Sequence, residues 1–292
     1  MRIKKYRNNS FSGKKKSRFG LKLFIFCAVF FIFAAGIFYL IIFSPVFEIN
    51  KISVNGLEDV KPEEIQKIAD NILSVKFFNK IPKNNPILLP EQEITRRILN
   101  NFPKIKEVTL TKKFRENTLL INITEREPAA IWCRVVPESV LVSSSSAGRL
   151  LNQTPRAENC FFADAGGFIF GEAPILSGGA VPTVYEQTAS AINIKDKVSN
   201  QKTLEFILAA KKELAAVNLN LTDFVIKSQS LGDLEILTPE GWIIYLDISN
   251  SPASQINALK RVLEEEIKEN RNRLEYIDLR VTDRAYYKLK TP

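Results

Sequence analysis

Histidine is absent from the 292 residues, and methionine occurs only at the first position. Without an imidazole there is no His-dependent triad and no ordinary zinc hydrolase site, which leaves Ser-Lys and carboxylate chemistry as the hydrolytic options. No G-x-x-x-x-G-K-[ST] or G-x-G-x-x-G pattern occurs, so nothing suggests a nucleotide site. Residues 1 to 22 contain nine basic residues and no acid, and Leu23 to Phe43 contains no charge of either sign. No tandem repeat is present.

The chain carries 41 basic and 32 acidic residues, a formal charge of +9. Setting aside the basic tail, 32 basic and 32 acidic residues remain, so the excess lies in the tail alone. That location argues against a nucleic-acid partner. The apolar run that follows, "LFIFCAVFFIFAAGIFYLIIF", is 21 residues long and has no polar face. As a helix it would be about 31 Å long, matching a hydrocarbon core of about 30 Å. A secretory signal has a shorter apolar part, about 7 to 15 residues, and a small-residue cleavage site. The exit here, "FSPVFEIN", has no A-x-A pattern. The expectation is an uncleaved, single-pass anchor over 23–43, with the basic tail in the cytoplasm and about 250 residues outside. Topology and attraction to anionic lipid head groups account for the tail's charge.

Beyond the anchor, "FEINKISVNG" reads as a strand closed by an Asn55-Gly56 turn. "KPEEIQKIADNIL" places Ile65, Ile68, Ala69 and Ile72 on one helical face, with Pro62, Glu63 and Glu64 in the first turn. A loop rich in Asn, Lys and Pro (79–90) leads to a second helix with Ile94, Ile98, Leu99 and Phe102 on one face, stopped by Pro103. "KEVTLTKKF" and "TLLINITER" then read as a hairpin. A three-stranded sheet with two helices on one face closes so small a core.

From Pro128 the pattern is mostly strands, with a turn at Asp164–Gly167, a helix over "NQKTLEFILAAKKELAAV", strands at "FVIKS", "LEILT" and "WIIYLDI", and Ser251 as N-cap before Pro252. "LEYIDLRV" and "AYYKLK" close the chain as two strands. The predicted organisation is α+β. A basic tail (1–22) and an anchor (23–43) precede a small β-α-α-β-β domain (44–127). A mainly antiparallel β domain with flanking helices (128–292) follows, interrupted by an insertion at about 135–159.

Glu125 and Glu127 are the candidate acids. Two apart on a strand they would face the same side about 7 Å apart, formally compatible with a two-carboxylate mechanism. Paired acids usually come from different elements that flank a cleft, so a solvated structural role weighs more. Ser143 to Ser146 has no S-x-x-K pattern and reads as part of a flexible insertion. Cys27 lies in the anchor and reads as a small apolar packer. Cys133 and Cys160 lie outside, where disulfides persist. If their strands are antiparallel neighbours they bridge the base of the insertion; otherwise they are two half-buried free thiols.

Several of these segments carry a resemblance. "FEINKISVNG", "FPKIKEVTLTKKFRENTLLINITEREPAAIW", "FFADAGGFIF" and "YIDLRV" look like the first strand, the E-R-x-P-x-A joint, the V-D-x-x-G-x-x-F hairpin and the D-L-R strand of the FtsQ/DivIB family of bacterial division proteins. The chain resembles that family over nearly its full length. The departures are the insertion, the two cysteines that flank it, and Ala163 before Asp164. The resemblance implies a POTRA domain followed by the FtsQ-type β domain. It also implies a non-enzymatic divisome scaffold that recruits FtsB/FtsL-like (DivIC/FtsL) partners, takes other division proteins through its POTRA domain and helps control septal peptidoglycan synthesis. It implies no catalytic residue, metal, cofactor, small-molecule substrate or nucleic acid.

In that family the last β strand receives a strand from the partner. Here that assigns Ala285, Tyr286, Tyr287, Lys288 and Leu289, together with Arg280 for an acidic partner side chain. The bland alternatives are that Tyr287 and Leu289 pack in the core and Arg280 pairs with Asp278 or Asp283. The rival functions are an anchored cell-wall enzyme using a carboxylate pair, and a POTRA module of an outer-membrane assembly system, for which the chain has too few POTRA units.

Overall fold

The computed structural model describes residues 19–43, 48–77, 81–82, 84–135, 157–174, 179–188, 190–198, 201–227 and 232–290. Most of the basic tail and most of the predicted insertion, including Ser143 to Ser146, lie outside the described residues. Helix α1 (Phe19–Phe43) takes in the whole apolar run and begins one turn before it. Among the described residues it is the one helix long and apolar enough to cross a membrane.

Contacts divide the chain into two compact units, one of residues 1–55, 61–94 and 110–122, the other of 56–60, 95–109 and 123–292. A three-stranded sheet contributes to both, because two of its strands, β4 (Ile105–Lys113) and β5 (Thr118–Glu125), each pass from one unit to the other. Its order is β1-β5-β4, with β1 (Lys51–Asn55) parallel to β5 from Lys51↔Thr118 to Asn55↔Asn122. A parallel pair needs a long crossover, and helices α2 (Pro62–Leu73) and α3 (Glu91–Asn101) supply it. Ile65, Ala69, Ile94 and Ile98 are fully buried, as the 3.6-residue spacing requires. Gly56 has φ +82, and a Cβ there would stand 2.1 Å from the Ile123 carbonyl oxygen, so the turn after β1 admits only glycine. A two-stranded ribbon, β2 (Lys76–Phe77) with β3 (Ile81–Pro82), occupies part of the segment expected to be loop.

The second unit holds a nine-stranded sheet built from β6 (Ala130–Val135), β7 (Asn159–Ala163), β8 (Ile169–Glu172), β9 (Thr183–Gln187), β10 (Asp223–Ile226), β11 (Asp233–Leu237), β12 (Ile243–Asp247), β13 (Leu274–Asp278) and β14 (Tyr286–Leu289). Their order is β14-β13-β12-β11-β10-β9-β6-β7-β8. The sheet is mixed: β6·β9, β9·β10 and β12·β13 are parallel, and the other pairs are antiparallel. Helix α4 (Gln201–Ala216) bridges β9 to β10, and α5 (Pro252–Arg261), continued by a π turn and a 3₁₀ turn, bridges β12 to β13. Both helices cover one face, where Trp132, Phe224, Ile236, Ile244 and Ile277 pack with Leu204, Ile207, Ile256 and Leu259.

One strand goes beyond the expectations, and the Ser251 N-cap differs from them in its side chain. Strand β9 sits in the middle of the sheet without having been legible as a strand. It is buried on both faces, Val184 toward the helices and Tyr185 toward a smaller apolar cluster, so it lacks the alternation that marks a half-exposed strand. Ser251 does stand at the N-cap of α5 with extended backbone angles, but its side chain makes no cap bond. Gln255 instead ties α5 to the end of β12, accepting from the Asp247 N–H at 2.9 Å and donating to the Asp247 carbonyl at 2.9 Å.

Cys133 and Cys160 face each other across β6 and β7 and form a disulfide. Thiol titration of the denatured full chain should find one thiol without reductant, Cys27, and three after reduction.

At the end of β5 the Arg126 guanidinium joins three elements of the second unit. Its Nη1 pairs with Asp164 Oδ2, its Nε donates to the Pro103 carbonyl at 3.2 Å, and its plane lies 4.0 Å from the Phe168 ring centroid. Asp164 Oδ1 meanwhile accepts from the N–H groups of Gly166 (2.9 Å) and Phe168 (3.0 Å), which shapes the β7–β8 turn. The two side chains are only 16% and 11% exposed, so removing either strands a poorly hydrated charge. Arg126→Ala should lower the unfolding free energy by about 3 kcal/mol in a denaturant titration. Arg126→Lys, which keeps the charge and loses the planar fork, should recover only part of it.

Candidate partner-binding edge

The nine-stranded sheet has two edges, and the chain treats them differently. At β8 the Ile169 N–H donates to the Asp196 carbonyl (2.9 Å) and the Lys195 N–H donates to the Ile169 carbonyl (2.8 Å), while Phe168 bridges to Lys197. The 195–197 segment therefore covers the Ile169 end of that edge. At the other end, among the described residues, β14 pairs with β13 on one side only. Tyr286 is 48% and Tyr287 41% exposed, large values for aromatic side chains outside a membrane helix.

The register Tyr276↔Lys288, Ile277↔Tyr287 and Asp278↔Tyr286 puts Tyr287 on the helix-covered face and Tyr286 with Lys288 on the opposite one. Leu289 and Ala285 pack against the core, and Lys288 pairs with Glu275 at 2.9 Å. The Lys290 N–H donates inward to the Arg273 carbonyl (2.7 Å). Backbone alternation then directs the N–H and C=O groups of Tyr287 and Leu289 outward. Beside the start of β14, α5 and residues 279–285 border a groove of about 860 Å³, lined among others by Gln255, Ala258, Val262, Leu279 and Ala285.

Arg280 follows β13 and is held from two sides. Asp278 takes its Nε (2.9 Å) and Nη2 (2.6 Å), and Asp233 on β11 takes its Nη1 at 2.7 Å. The guanidinium also lies 5.1 Å from the Tyr245 ring centroid, and Tyr245 meets Tyr276 edge to face at 5.7 Å. So Arg280 pairs with Asp278 and, across 47 positions, with Asp233, which sequence spacing gave no means of finding.

The hydrogen bond from Arg280 holds the Asp278 carboxyl below its ordinary value of 3.8, and the same bond raises Arg280. A carboxylate lowered on folding stabilises the fold above its ordinary value and loses that contribution as pH falls below it. The stability difference between wild type and Asp278→Asn should therefore be constant from pH 5 to 7 and shrink below about pH 4.

The candidate acids are not brought together as a pair. Strand β5 ends at Glu125, so Glu127 falls beyond it and is exposed. Glu125 is 7% exposed, and its carboxylate accepts the N–H groups of Glu58 (3.0 Å), Asp59 (3.2 Å) and Val60 (3.1 Å), with Lys104 Nζ at 3.6 Å. It closes the loop between β1 and α2, with Oε1 accepting from all three amides.

No curated protein matches the chain. Residues 47–126, the region of the three-stranded sheet and its two helices, match the family model described as POTRA domain, FtsQ-type. The chain thus carries an FtsQ-type POTRA domain between an apolar N-terminal helix and a larger mixed sheet, consistent with the FtsQ/DivIB family of cell-division proteins.

Proposed function

We propose that this chain is a non-enzymatic scaffold of the bacterial divisome. It is anchored once in the plasma membrane at the septum, with residues 1–22 in the cytoplasm. A POTRA domain (44–127) and a β domain (128–292) lie outside. Strand β14 receives a strand from an FtsB/FtsL-like (DivIC/FtsL) partner, and through that complex the chain helps regulate septal peptidoglycan synthesis. The POTRA domain takes further division proteins.

The observation that carries this reading is the asymmetry of the edges: among the described residues, the start of β8 is covered by its own chain, whereas β14 pairs on one side only and shows two exposed tyrosines. An added strand would pair with the outward groups of Tyr287 and Leu289 while its side chains met Tyr286, Tyr287 and Ala285. Lys288, set along the edge, disfavours pairing with a second copy. An acidic side chain of the partner would take the place of Asp233 on Arg280, whose fork is already oriented by Asp278.

Tyr287→Pro tests this without disturbing the β13 ladder, since proline removes an N–H that points away from β13. Binding of the purified partner to the full chain should fall at least about tenfold, roughly 1.4 kcal/mol, with the unfolding midpoint within error of wild type. Deletion of residues 284–292 should abolish co-purification from membranes. Wild-type binding by either variant would overturn the proposal.

A further inference from the structure

In the first unit an apolar turn faces outward close, along the chain, to the end of the anchor. The buried Asn85 shapes it: its Oδ1 accepts the Ile87 N–H (2.9 Å) and its carbonyl accepts the Leu88 N–H (3.0 Å). Leu89 turns into the core at 8% exposure, whereas Ile87 is left 63% and Leu88 40% exposed. Outside α1, no large apolar side chain among the described residues is more exposed than Ile87. The β2–β3 ribbon pairs Lys76 with Pro82, so the chain enters it at Val75 and leaves it into this turn at the same end. Val75 is itself 54% exposed.

The chemistry around the turn has one sign. From Ser74 to Pro90 the sequence holds three lysines, at positions 76, 80 and 83, and no acidic residue. The turn is also tethered, because the Ile49 N–H donates to the Asn84 carbonyl at 2.9 Å. Ile49 is six residues past Phe43, the last residue of α1. Six extended residues span at most about 20 Å. The head-group layer is about 5 to 8 Å thick on each side of the hydrocarbon core. Exposed aliphatics in a stretch of sequence whose charged residues are all lysine, held within that reach of a lipid boundary, have the composition of an interfacial binding element.

We infer that the turn Asn84–Leu89, with Val75, docks on the outer leaflet, Ile87 and Leu88 inserting at the head-group boundary of an anionic bilayer. The net positive charge of the 74–90 sequence supplies the attraction to anionic lipid. The inference rests on α1 as the anchor, and the experiment separates the two.

Full chain with Cys27→Ala, in which the disulfide leaves no reactive thiol, is incorporated into nanodiscs of phosphatidylcholine and phosphatidylglycerol. Single cysteines at positions 75, 87, 88 and, as a control, 281 carry a nitroxide. Co-elution with the discs reports the anchor. The ratio of oxygen to nickel-chelate accessibility reports depth. At positions 87 and 88 that ratio should exceed the value at position 281 by about fivefold, as for a side chain 5 to 10 Å below the surface. Tryptophan introduced at position 88 should be quenched by brominated lipid beyond the signal of the buried Trp132 and Trp242. Co-elution with an aqueous ratio at 87 and 88 would overturn the docking while leaving the anchor standing. Exclusion of both reagents from these labels would also overturn it, indicating a protein cover in place of lipid.

Discussion

Arg126 ties three separate parts of the second unit to one another. It stands where β5 ends and Pro128 forces the chain away, a place where the backbone has few partners of its own. The guanidinium supplies them by binding the Pro103 carbonyl, the Asp164 carboxylate and the Phe168 ring at once. A lysine ammonium could reach one of these, but it has neither the planar fork nor the flat face that fits a ring. Asp164 is equally divided, one oxygen on Arg126 and the other on the amides of its own turn. The β7–β8 hairpin and the end of β5 are thus shaped by the same pair of charges.

A similar device recurs at the open edge. Asp278 uses Oδ1 both for the Arg280 N–H and for the guanidinium, so it shapes the chain after β13 while aiming the arginine. Glu125 follows the same logic with three loop amides. Of the two acidic residues that looked most like chemistry in the sequence, Glu125 is occupied with backbone groups and Glu127 is exposed beyond the strand. Carboxylates accept such bonds more strongly than neutral groups do, which suits them to fix loops that no ladder reaches.

Local pattern is legible in the sequence. The helices α2, α3, α4 and α5 follow from 3.6-residue spacing, the hairpin turns from Asp, Asn and Gly, and β14 from the segment "AYYKLK" after the Thr282-Asp283-Arg284 turn. Long-range facts escaped. Strand β9 is hidden because a doubly buried strand has no alternation, and the parallel pairing of β1 with β5 is invisible to any local pattern. Arg280 could be singled out by its motif, but its second carboxylate lies on β11, and the cover over β8 comes from a short irregular segment with no strand signature. The open edge could be named from the sequence, but its contrast with the covered one could not.

That contrast bears on how strongly an added strand can bind. Two outward residues, Tyr287 and Leu289, offer about four backbone hydrogen bonds, each contributing about 1 kcal/mol net, or about 4 kcal/mol together. A micromolar complex needs about 8 kcal/mol, before the cost of ordering a flexible partner is added. The backbone alone therefore cannot hold a partner on so short an edge. The remainder has to come from side chains, and the exposed faces of Tyr286 and Tyr287 are the large apolar areas available there. Because backbone pairing is indifferent to sequence, a short edge that relies on its tyrosines binds selectively, whereas a long bare edge would take any extended chain.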